Sequence, residues 1–294
     1  MKEIKVASVQ FKVKALSEEE DFWKLVRKHV DEAKQEGAQL VVFPEYVTAN
    51  LLHLGGPMSN ADACEWLHNR TDQVLTKFAA LSRDSGLTIL GGTHVHREDG
   101  RYYNEAFMFS PDGGIGRQKK LHLTPEEQHH WPLSPGDTYS LFETAIGTVG
   151  IQICYDMEFP EGPRLLAEAG ADWLLCPSFT ETAHGYYRVR NCGRARAVEN
   201  QVYVVMSGIV GKLPSVLQIE AGYSRAAVFA PSDYPFPANG ILAQGRTNTR
   251  ETVVCGVKAD ALEENRTKGG VAPFSDRKPE LYRASAGQVR RQRL

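Results

Sequence analysis

The 294-residue sequence lacks long apolar runs, a cysteine framework and an excess of charge of either sign. No apolar stretch approaches the roughly 18 to 20 residues that a membrane-spanning helix needs, and the first residues lack a signal peptide's apolar segment. We therefore expect a cytoplasmic protein with no membrane partner. The 34 lysines and arginines nearly balance the 36 aspartates and glutamates. Because nucleic-acid binders carry a basic footprint, we expect a small-molecule partner and no nucleic acid.

The five cysteines are too few and too scattered for a disulfide scaffold, and no two form a Cys-x-x-Cys pair. At least one is expected to be a free thiol. The motifs HExxH, GxSxG, GxGxxG and GxxxxGK[ST] are all missing, so zinc protease, serine hydrolase, dinucleotide and P-loop functions lack their characteristic residues. The spacing of His122, His129 and His130 relative to Glu126 and Glu127 fits no common metal site. We expect neither a metal nor an organic cofactor.

What the sequence does contain is an alternation of strands and helices, with 42% hydrophobic and 24% charged residues, as in a globular α/β domain. The apolar periodicity predicts strands at 4–9, 40–43, 147–153, 173–176 and 202–206, and helices at 61–85, 160–169 and 186–200. The first strand is expected to be half-buried. A capping pair, Ser17 and Glu20, is expected to start the first helix, and Pro177 to end the 173–176 strand. We predict one domain over 1–267 and a polar arm or tail over 268–294.

Three reactive side chains lie where predicted strands end and loops begin: Glu45, Cys154 and Cys176. Open α/β sheets bind their ligands at such strand ends. A cysteine there can act as a nucleophile, with the N–H of Tyr155 facing the oxyanion, or it can be a small buried hydrophobic residue. Position alone does not separate Cys154 from Cys176. Glu45 is either a general base with a raised pKa or a turn carboxylate.

A third candidate is a cation in the segment KKLHLTPEE, where Lys119 and Lys120 lead a short strand into a loop. A lysine at this point can hold developing negative charge, although lysines are usually solvated. His122 in the same segment either lines the mouth of a pocket or makes a structural hydrogen bond. Taken separately, none of these residues decides which reaction the protein carries out.

Taken together, the segments FPEY, KKLHLTPEE and ICYDMEFPE, in that order, resemble the nitrilase superfamily of carbon–nitrogen hydrolases. The resemblance extends over about residues 1–265. It implies that Glu45 is the general base, Lys120 the oxyanion-stabilising lysine and Cys154 the nucleophile of a catalytic triad. It further implies a second glutamate at Glu127, with the adjacent Glu126 as the alternative.

The resemblance also implies an α/β fold of the four-layer αββα sandwich type, which pairs with a second subunit into a homodimer or higher homo-oligomer. Nitrilases typically carry tryptophan and glutamate after the cysteine, whereas this sequence has Tyr155 and Asp156. That difference favours the amidase-type branches and a small-molecule amide or N-carbamoyl substrate over a nitrile. Tyr155, Glu158 and Phe179 are the candidate oxyanion- and substrate-binding residues.

Several branches carry arginine at the position of Glu158, so Glu158 favours a neutral or cationic substrate, or it simply faces solvent or pairs with an arginine. Two other functions stay open at this point. An acyltransferase would use an amine instead of water as acceptor, and a non-catalytic member would bind a ligand or partner on the same scaffold.

Overall fold

In a computed structural model, which describes residues 3–284 and residue 292, strands and helices alternate around one large mixed sheet. The strands are β1 (Glu3–Lys12), β2 (Leu40–Val42), β3 (Thr88–Glu98), β4 (Arg101–Phe109), β5 (Ile115–Lys119), β6 (Leu141–Thr144), β7 (Gly147–Ile151), β8 (Trp173–Ser178), β9 (Tyr203–Lys212), β10 (Ala221–Gly222), β11 (Ala227–Phe229), β12 (Ile241–Gln244) and β13 (Glu251–Lys258). The helices are α1 (Glu19–Gln35), α2 (Asn60–His68), α3 (Thr71–Ser85), α4 (Pro125–His130), α5 (Glu161–Glu168), α6 (Ala183–Asn200), α7 (Ala261–Lys268) and α8 (Pro279–Ala284). Short 3₁₀ helices lie at Val47–Gly55, Cys154–Glu158 and Leu217–Ile219. In the described part of the chain, every helix is too short or too polar to cross a bilayer.

The strand order β5-β4-β3-β2-β1-β9-β8-β7-β6 places parallel strands at the centre of the sheet. β1 runs parallel to β2 and β9, and β8 runs parallel to β7 and β9. β13 pairs with β1 in the antiparallel sense, and β11 does the same with β9. Because the carboxyl ends of parallel strands meet at one edge, the loops after β2, β7 and β8 converge there.

Helices cover both outer faces of the folded sheet. Val9 of β1 belongs to a core cluster shared with Trp23 of α1 and Phe78 of α3. On the other side of β1, Val6 belongs to a second cluster shared with Leu174 of β8 and Ala197 of α6. The predicted α/β sandwich is therefore confirmed. The expectation that β1 is half-buried is wrong, because neighbouring side chains of this central strand enter cores on opposite sides.

Two predicted boundaries are wrong because tertiary contacts override local signals. The stretch 61–85 forms two helices, α2 and α3, which separate at Asn69 and Arg70 although neither glycine nor proline marks the break. Strand β8 continues through Pro177, which lies in register with Ser207 of β9. A proline removes one donor from the ladder, but β9 still pairs with β8 at Pro177, where the pairing with β7 has already ended at Leu175.

The first turn of α1 also differs from the prediction. Asp21, and not Glu20, accepts hydrogen bonds from the backbone N–H groups of Ser17 and Glu18 at 3.0 and 3.3 Å. Glu20 instead pairs with Arg27 further along the helix. The helix begins one residue later than predicted, with Glu18 and not Ser17 as its N-cap, so the carboxylate at its third position is Asp21.

Residues after α7 include side chains that contact the body of the protein. Phe274 packs against the core cluster that contains Leu174, and Arg277 pairs with Glu168 of α5. Helix α8 follows. The domain boundary at residue 267 stays a prediction, and the rest of the predicted tail, residues 285–291 and 293–294, lies outside the described residues.

Candidate active site

Glu45 lies just beyond β2 and is buried, with a relative exposure of 1%. The chain turns sharply after it, because Tyr46 adopts a left-handed φ of 55°. Gly92 of β3 permits this turn to sit against the sheet. A Cβ at Gly92 would come within 2.0 Å of the Pro44 carbonyl oxygen, and the glycine has a φ of +71°. The close approach of β3 to the loop therefore sets the position of the Glu45 carboxylate.

Lys120 follows β5, and its ammonium group bridges two buried glutamates. Nζ donates to Oε1 of Glu45 at 2.8 Å and to both carboxylate oxygens of Glu127 at 2.9 and 2.7 Å. All three side chains are at most 5% exposed. The structure therefore brings together three of the residues predicted from the sequence.

Glu127 reaches this position through the capping box of α4. Thr124 is the N-cap, and its hydroxyl accepts from the Glu127 N–H at 3.2 Å, while Oε2 of Glu127 accepts from the Thr124 N–H at 2.8 Å. Glu126 is exposed and lies 3.7 Å from His130. Of the two adjacent glutamates, only Glu127 contacts Lys120.

Cys154 opens the 3₁₀ helix after β7 and has a φ of 48°, a conformation that costs energy for a residue with a side chain. Its thiol donates to the carbonyl oxygen of Phe179 at 3.4 Å, and the Phe179 N–H donates to Oε2 of Glu45 at 2.9 Å. The backbone of Phe179, just after β8, therefore links the nucleophile candidate to the base candidate.

The electrostatics of the site are dominated by burial. Burial raises the pKa of Glu45, as does the charge of Glu127, against the opposing effect of Lys120. Burial and then the Glu45 charge raise the pKa of the Cys154 thiol well above its usual value. Burial alone would lower the pKa of Lys120, but the two carboxylates raise it. Burial opposes the ionisation of Glu127, yet Lys120 holds its pKa below the usual value.

These shifts divide the group into an ion pair, Lys120 and Glu127, and a pair between which a proton can move, the Cys154 thiol as donor and the Glu45 carboxylate as acceptor. Lys120 and Glu127 stay charged, whereas Glu45 and Cys154 are a carboxylate of increased basicity next to a neutral thiol. A carboxylate whose pKa is raised towards neutrality is a better general base than an ordinary one. The arrangement can accept a thiol proton and place a cation beside a developing oxyanion.

Two contacts to these glutamates were not anticipated from the sequence. Nδ2 of Asn104, from β4, donates to Oε1 of Glu45 at 3.0 Å and to Oε1 of Glu127 at 3.2 Å. The hydroxyl of Tyr46 donates to Oε1 of Glu127 at 2.5 Å. Tyr46 follows Glu45 directly in FPEY, so the motif could have indicated it. The only signal at Asn104 is an amide side chain near the middle of a strand.

Asp156 connects the loop that carries Lys120 to the loop that carries Cys154. Its buried carboxylate accepts from the backbone N–H groups of Leu121, His122 and Ile153 at 3.3, 2.7 and 3.2 Å. Nδ1 of His122 lies 2.8 Å from the same carboxylate. His122 thus makes a structural hydrogen bond, which was one of its two predicted roles, and Asp156 fixes the loop of Lys120 against the loop of Cys154.

A cavity of about 520 Å³ opens over these groups. Glu45, Lys120 and Cys154 contribute to its lining, together with the remaining predicted binding residues: Tyr155, Glu158, Phe179 and Glu127. Cys176 is absent from this lining, and its thiol lies 3.3 Å from the Ser178 hydroxyl. The geometry therefore separates the two cysteines that their sequence positions could not.

Glu158 pairs with an arginine, as one of its two interpretations stated. Its Oε2 lies 3.3 Å from Nε of Arg188 on α6. Burial raises the pKa of Glu158, with the arginine opposing. The side chain lines the cavity but already has a counter-ion.

Among the described residues, one cluster outside the cavity, His96, Glu98 and Glu105, has potential ligand atoms within 4.8 Å of one another. Arg117 donates to both carboxylates, and Lys119 donates to Glu98. These cations already compensate the two negative charges. The cluster is therefore an ion-pair network across β3, β4 and β5 rather than a favourable cation site.

The family model of the carbon-nitrogen hydrolases matches residues 5–245, which include Glu45, Lys120, Glu127 and Cys154. The chain belongs to the carbon-nitrogen hydrolase family. This carbon-nitrogen hydrolase is similar to the probable hydrolase YhcX of Bacillus subtilis, with 37% identity over 95% of this chain and 54% of YhcX. It thus spans about half the length of that relative. It is 29% identical to the omega-amidase NIT2 of Bos taurus, over 87% of this chain and 89% of the relative.

Solved structures of the nitrilase superfamily share the fold. Saccharomyces cerevisiae Nit3, a member of branch 10 of that superfamily, matches with a TM-score of 0.73 and 25% identity, over 90% of this chain and 93% of Nit3. An amidase from Nesterenkonia sp. AN1 matches with a TM-score of 0.74 and 20% identity, over 96% of each chain. That amidase structure shows covalent addition of the acetamide moiety of fluoroacetamide at the active-site cysteine. The superfamily predicted from the three motifs is confirmed.

Proposed function

We propose that this carbon-nitrogen hydrolase is a cysteine-dependent amidase that cleaves a small-molecule amide through a thioester. The observation that carries the proposal is the buried bridge of Lys120 between Glu45 and Glu127, in the lining of a cavity that Cys154 also lines. Burying three ionisable side chains is costly unless they pair, so their concentration beside a thiol indicates a catalytic role. The amidase and omega-amidase relatives support an amide as substrate.

In the proposed reaction, Glu45 accepts the thiol proton as the sulfur of Cys154 bonds to the amide carbon. The carbonyl electron pair moves onto oxygen, where Lys120 and the Tyr155 N–H stabilise the negative charge. The tetrahedral intermediate then collapses, the carbon–nitrogen bond breaks, and the leaving nitrogen takes the proton from Glu45. Ammonia or an amine departs and leaves a thioester.

Hydrolysis of the thioester uses the same groups. Glu45 removes a proton from water as the water oxygen bonds to the thioester carbon, and Lys120 again stabilises the oxyanion. The carbon–sulfur bond breaks, the carboxylic acid is released, and the proton held by Glu45 returns to Cys154. Throughout, Glu127 keeps Lys120 charged and in place through its two hydrogen bonds.

The test combines turnover with intact-mass spectrometry on a panel of amides, N-carbamoyl compounds and nitriles. We expect release of ammonia or amine from amides, and an acyl adduct on the wild-type protein that is absent from Cys154→Ala. Removing the nucleophile should lower kcat by about 10³-fold or more. Cys192→Ala, which changes a cysteine outside the cavity, is the matched control and should retain turnover.

Each outcome of this panel identifies a function. Turnover confined to nitriles would reject an amidase, and transfer of the acyl group to an added amine in preference to water would indicate an acyltransferase. Ligand binding with neither turnover nor an adduct would indicate the non-catalytic alternative. Preference for N-carbamoyl compounds would keep the mechanism but change the substrate class.

We also propose that the chain forms a homodimer or higher homo-oligomer and acts in the cytoplasm. Three exposed apolar side chains on α5 and α6 support an interface there: Leu165, Tyr187 and Val198. The five cysteines are unpaired, as is usual in a reducing compartment. Light scattering coupled to gel filtration tests the assembly, and a monomer at micromolar concentration would reject it.

A further inference from the structure

The mouth of the catalytic cavity is strongly acidic. Besides the catalytic groups, four carboxylates line the cavity, and they come from separate parts of the chain: Glu126 on α4, Glu158 after Cys154, Glu181 after β8 and Glu220 before β10. The cavity is a binding site independently of these charges, because Cys154, Glu45 and Lys120 form its base. The four carboxylates therefore surround the path of any substrate that reaches the thiol.

The cations of this cavity are already engaged. Among the described residues, the lining of the cavity contains one lysine, Lys120, and one arginine, Arg188. Lys120 holds Glu45 and Glu127, and Arg188 lies 3.3 Å from Glu158. A carboxylate on the substrate would thus find no unpaired cation among the described lining residues and would have to displace an existing ion pair.

The negative charges of Glu181 and Glu220 are less well compensated by nearby cations than that of Glu158. In the described part of the chain, no lysine or arginine lies within 4.0 Å of either carboxylate, and the side chain of Glu126 lies 3.7 Å from the imidazole of His130. Burial raises the pKa of Glu181, and the charges of Glu126 and Glu220 raise it further. Glu126 and Glu220 therefore each repel Glu181 across the mouth, and a cation placed beside Glu181 would relieve that repulsion.

We infer that the substrate is an amide whose acyl part carries a cationic group, such as an ammonium, which the mouth carboxylates Glu126, Glu181 and Glu220 bind while Cys154 attacks the amide carbon. The inference rests on the proposed amidase function. Glu158, the residue that first suggested a cationic substrate, contributes little because Arg188 neutralises it. The specificity instead comes from three carboxylates that the fold assembles.

Three primary amides of similar chain length test the inference: δ-aminovaleramide, valeramide and glutaramic acid, which differ in having a cationic, neutral or anionic tail. We expect kcat/KM to decrease in that order, with about tenfold or more between the first and the last. Raising NaCl to about 0.5 M should narrow the difference, since salt screens exposed charges. Equal values for the three amides, or a preference for glutaramic acid, would overturn the inference while leaving the amidase function intact.

Charge reversal at the mouth gives an independent readout. Glu181→Lys and Glu220→Lys should each lower the ratio of kcat/KM for δ-aminovaleramide over glutaramic acid by about tenfold, mainly through KM. Glu36→Lys makes the same charge change at an exposed glutamate outside the cavity and should leave the ratio within about twofold. An unchanged ratio in both mouth variants would overturn the inference. If the three amides fail while other amides of the panel are hydrolysed, the inference is overturned and the proposed function stands. Failure of every amide and N-carbamoyl compound with the wild-type protein would instead reject the proposed function.

Discussion

At the scale of single residues, the least expected contributor is Asn104. It is fully buried, and its amide nitrogen is shared between Oε1 of Glu45 and Oε1 of Glu127. Because it does not line the cavity, it acts on the reaction through the orientation and charge of the two glutamates. Asn104 is thus a positioning residue.

We predict that Asn104→Leu lowers kcat by about 10- to 100-fold, because a hydrogen bond to a charged group is worth about 1.5 to 3 kcal/mol. Losing a donor destabilises ionised Glu45, so its pKa, already raised by burial, should rise further. The acid limb of the kcat/KM profile should therefore move to higher pH. The pH profile and the thermal unfolding midpoint are measured together. A fall in kcat with an unmoved acid limb would contradict the positioning role.

Single residues also show what the sequence can predict and what requires the structure. The motifs were sufficient to predict Glu45, Lys120 and Cys154, whose close association the structure shows. Asn104 could not be found in this way, because a polar side chain within a strand has no local pattern that reveals its partners. Those partners lie 59 and 23 residues away in the sequence.

At the scale of elements, the short helix α4 holds Glu127 in place. Its capping box uses the Glu127 carboxylate twice, to close the first turn and to bind Lys120. The hydroxyl of Thr124 also donates to Oε2 of Glu127 at 3.0 Å. The stability of the helix end and the geometry of the site therefore depend on the same side chain.

Thr124→Val keeps the shape of the side chain but removes the capping hydroxyl. We predict a loss of about 1 kcal/mol in the free energy of unfolding, as is typical for an N-cap, together with a lower kcat because Glu127 is less well held. Chemical denaturation and steady-state kinetics measure the two effects. Thr138→Val is the matched control, since that exposed hydroxyl bonds only the neighbouring Asp137. Equal kinetics in both variants would show that the cap does not position Glu127.

The TPEE segment illustrates what element-level patterns can and cannot predict. A threonine followed three residues later by glutamate is a capping-box signature, and the structure shows Thr124 and Glu127 in that arrangement. From the sequence, Glu127 was favoured over Glu126 only through the superfamily resemblance. Periodicity failed at the break between α2 and α3, because no glycine or proline marks it and the two helices pack against different elements. α2 packs beside β3 and the 3₁₀ helix at Val47–Gly55, whereas α3 also packs against α1 and β4.

At the scale of the whole molecule, buried neutral histidines join separate layers. His94 of β3 bonds Thr48 and Thr71 at 2.9 and 3.2 Å, and His29 of α1 bonds Thr252 of β13 at 2.6 Å. Burial lowers the pKa of each histidine to about 3. Protonation of either one would place a charge inside the sandwich, where burial disfavours it.

This arrangement predicts sensitivity to acid. The pKa of His94 in the folded protein lies below its value of about 6.5 in the unfolded chain. Between these two pKa values the unfolded chain binds more protons than the folded protein. The free energy of unfolding therefore decreases as pH falls from about 6.5 towards the folded-state pKa. Each pH unit costs up to about 1.4 kcal/mol per histidine. When pH falls from about 6.5 to 4.5, we expect the wild-type protein to lose about 2 kcal/mol more unfolding free energy than His94→Gln. The exposed His130→Gln is the control, and equal acid sensitivity in the two variants would contradict the prediction.

The sequence by itself determined the family, the α/β class and the identity of the base, lysine and nucleophile candidates, because each depends on local motifs and on strands that end at one edge. Only the tertiary structure decided which residues orient Glu45, and that Glu126, Glu181 and Glu220 share one mouth. Local patterns reflect interactions over a few residues, whereas these arrangements depend on strand register and on the folding of the sheet into a sandwich. The acidic mouth of the cavity is therefore evident only in the folded structure, where loops that are distant in the sequence come together.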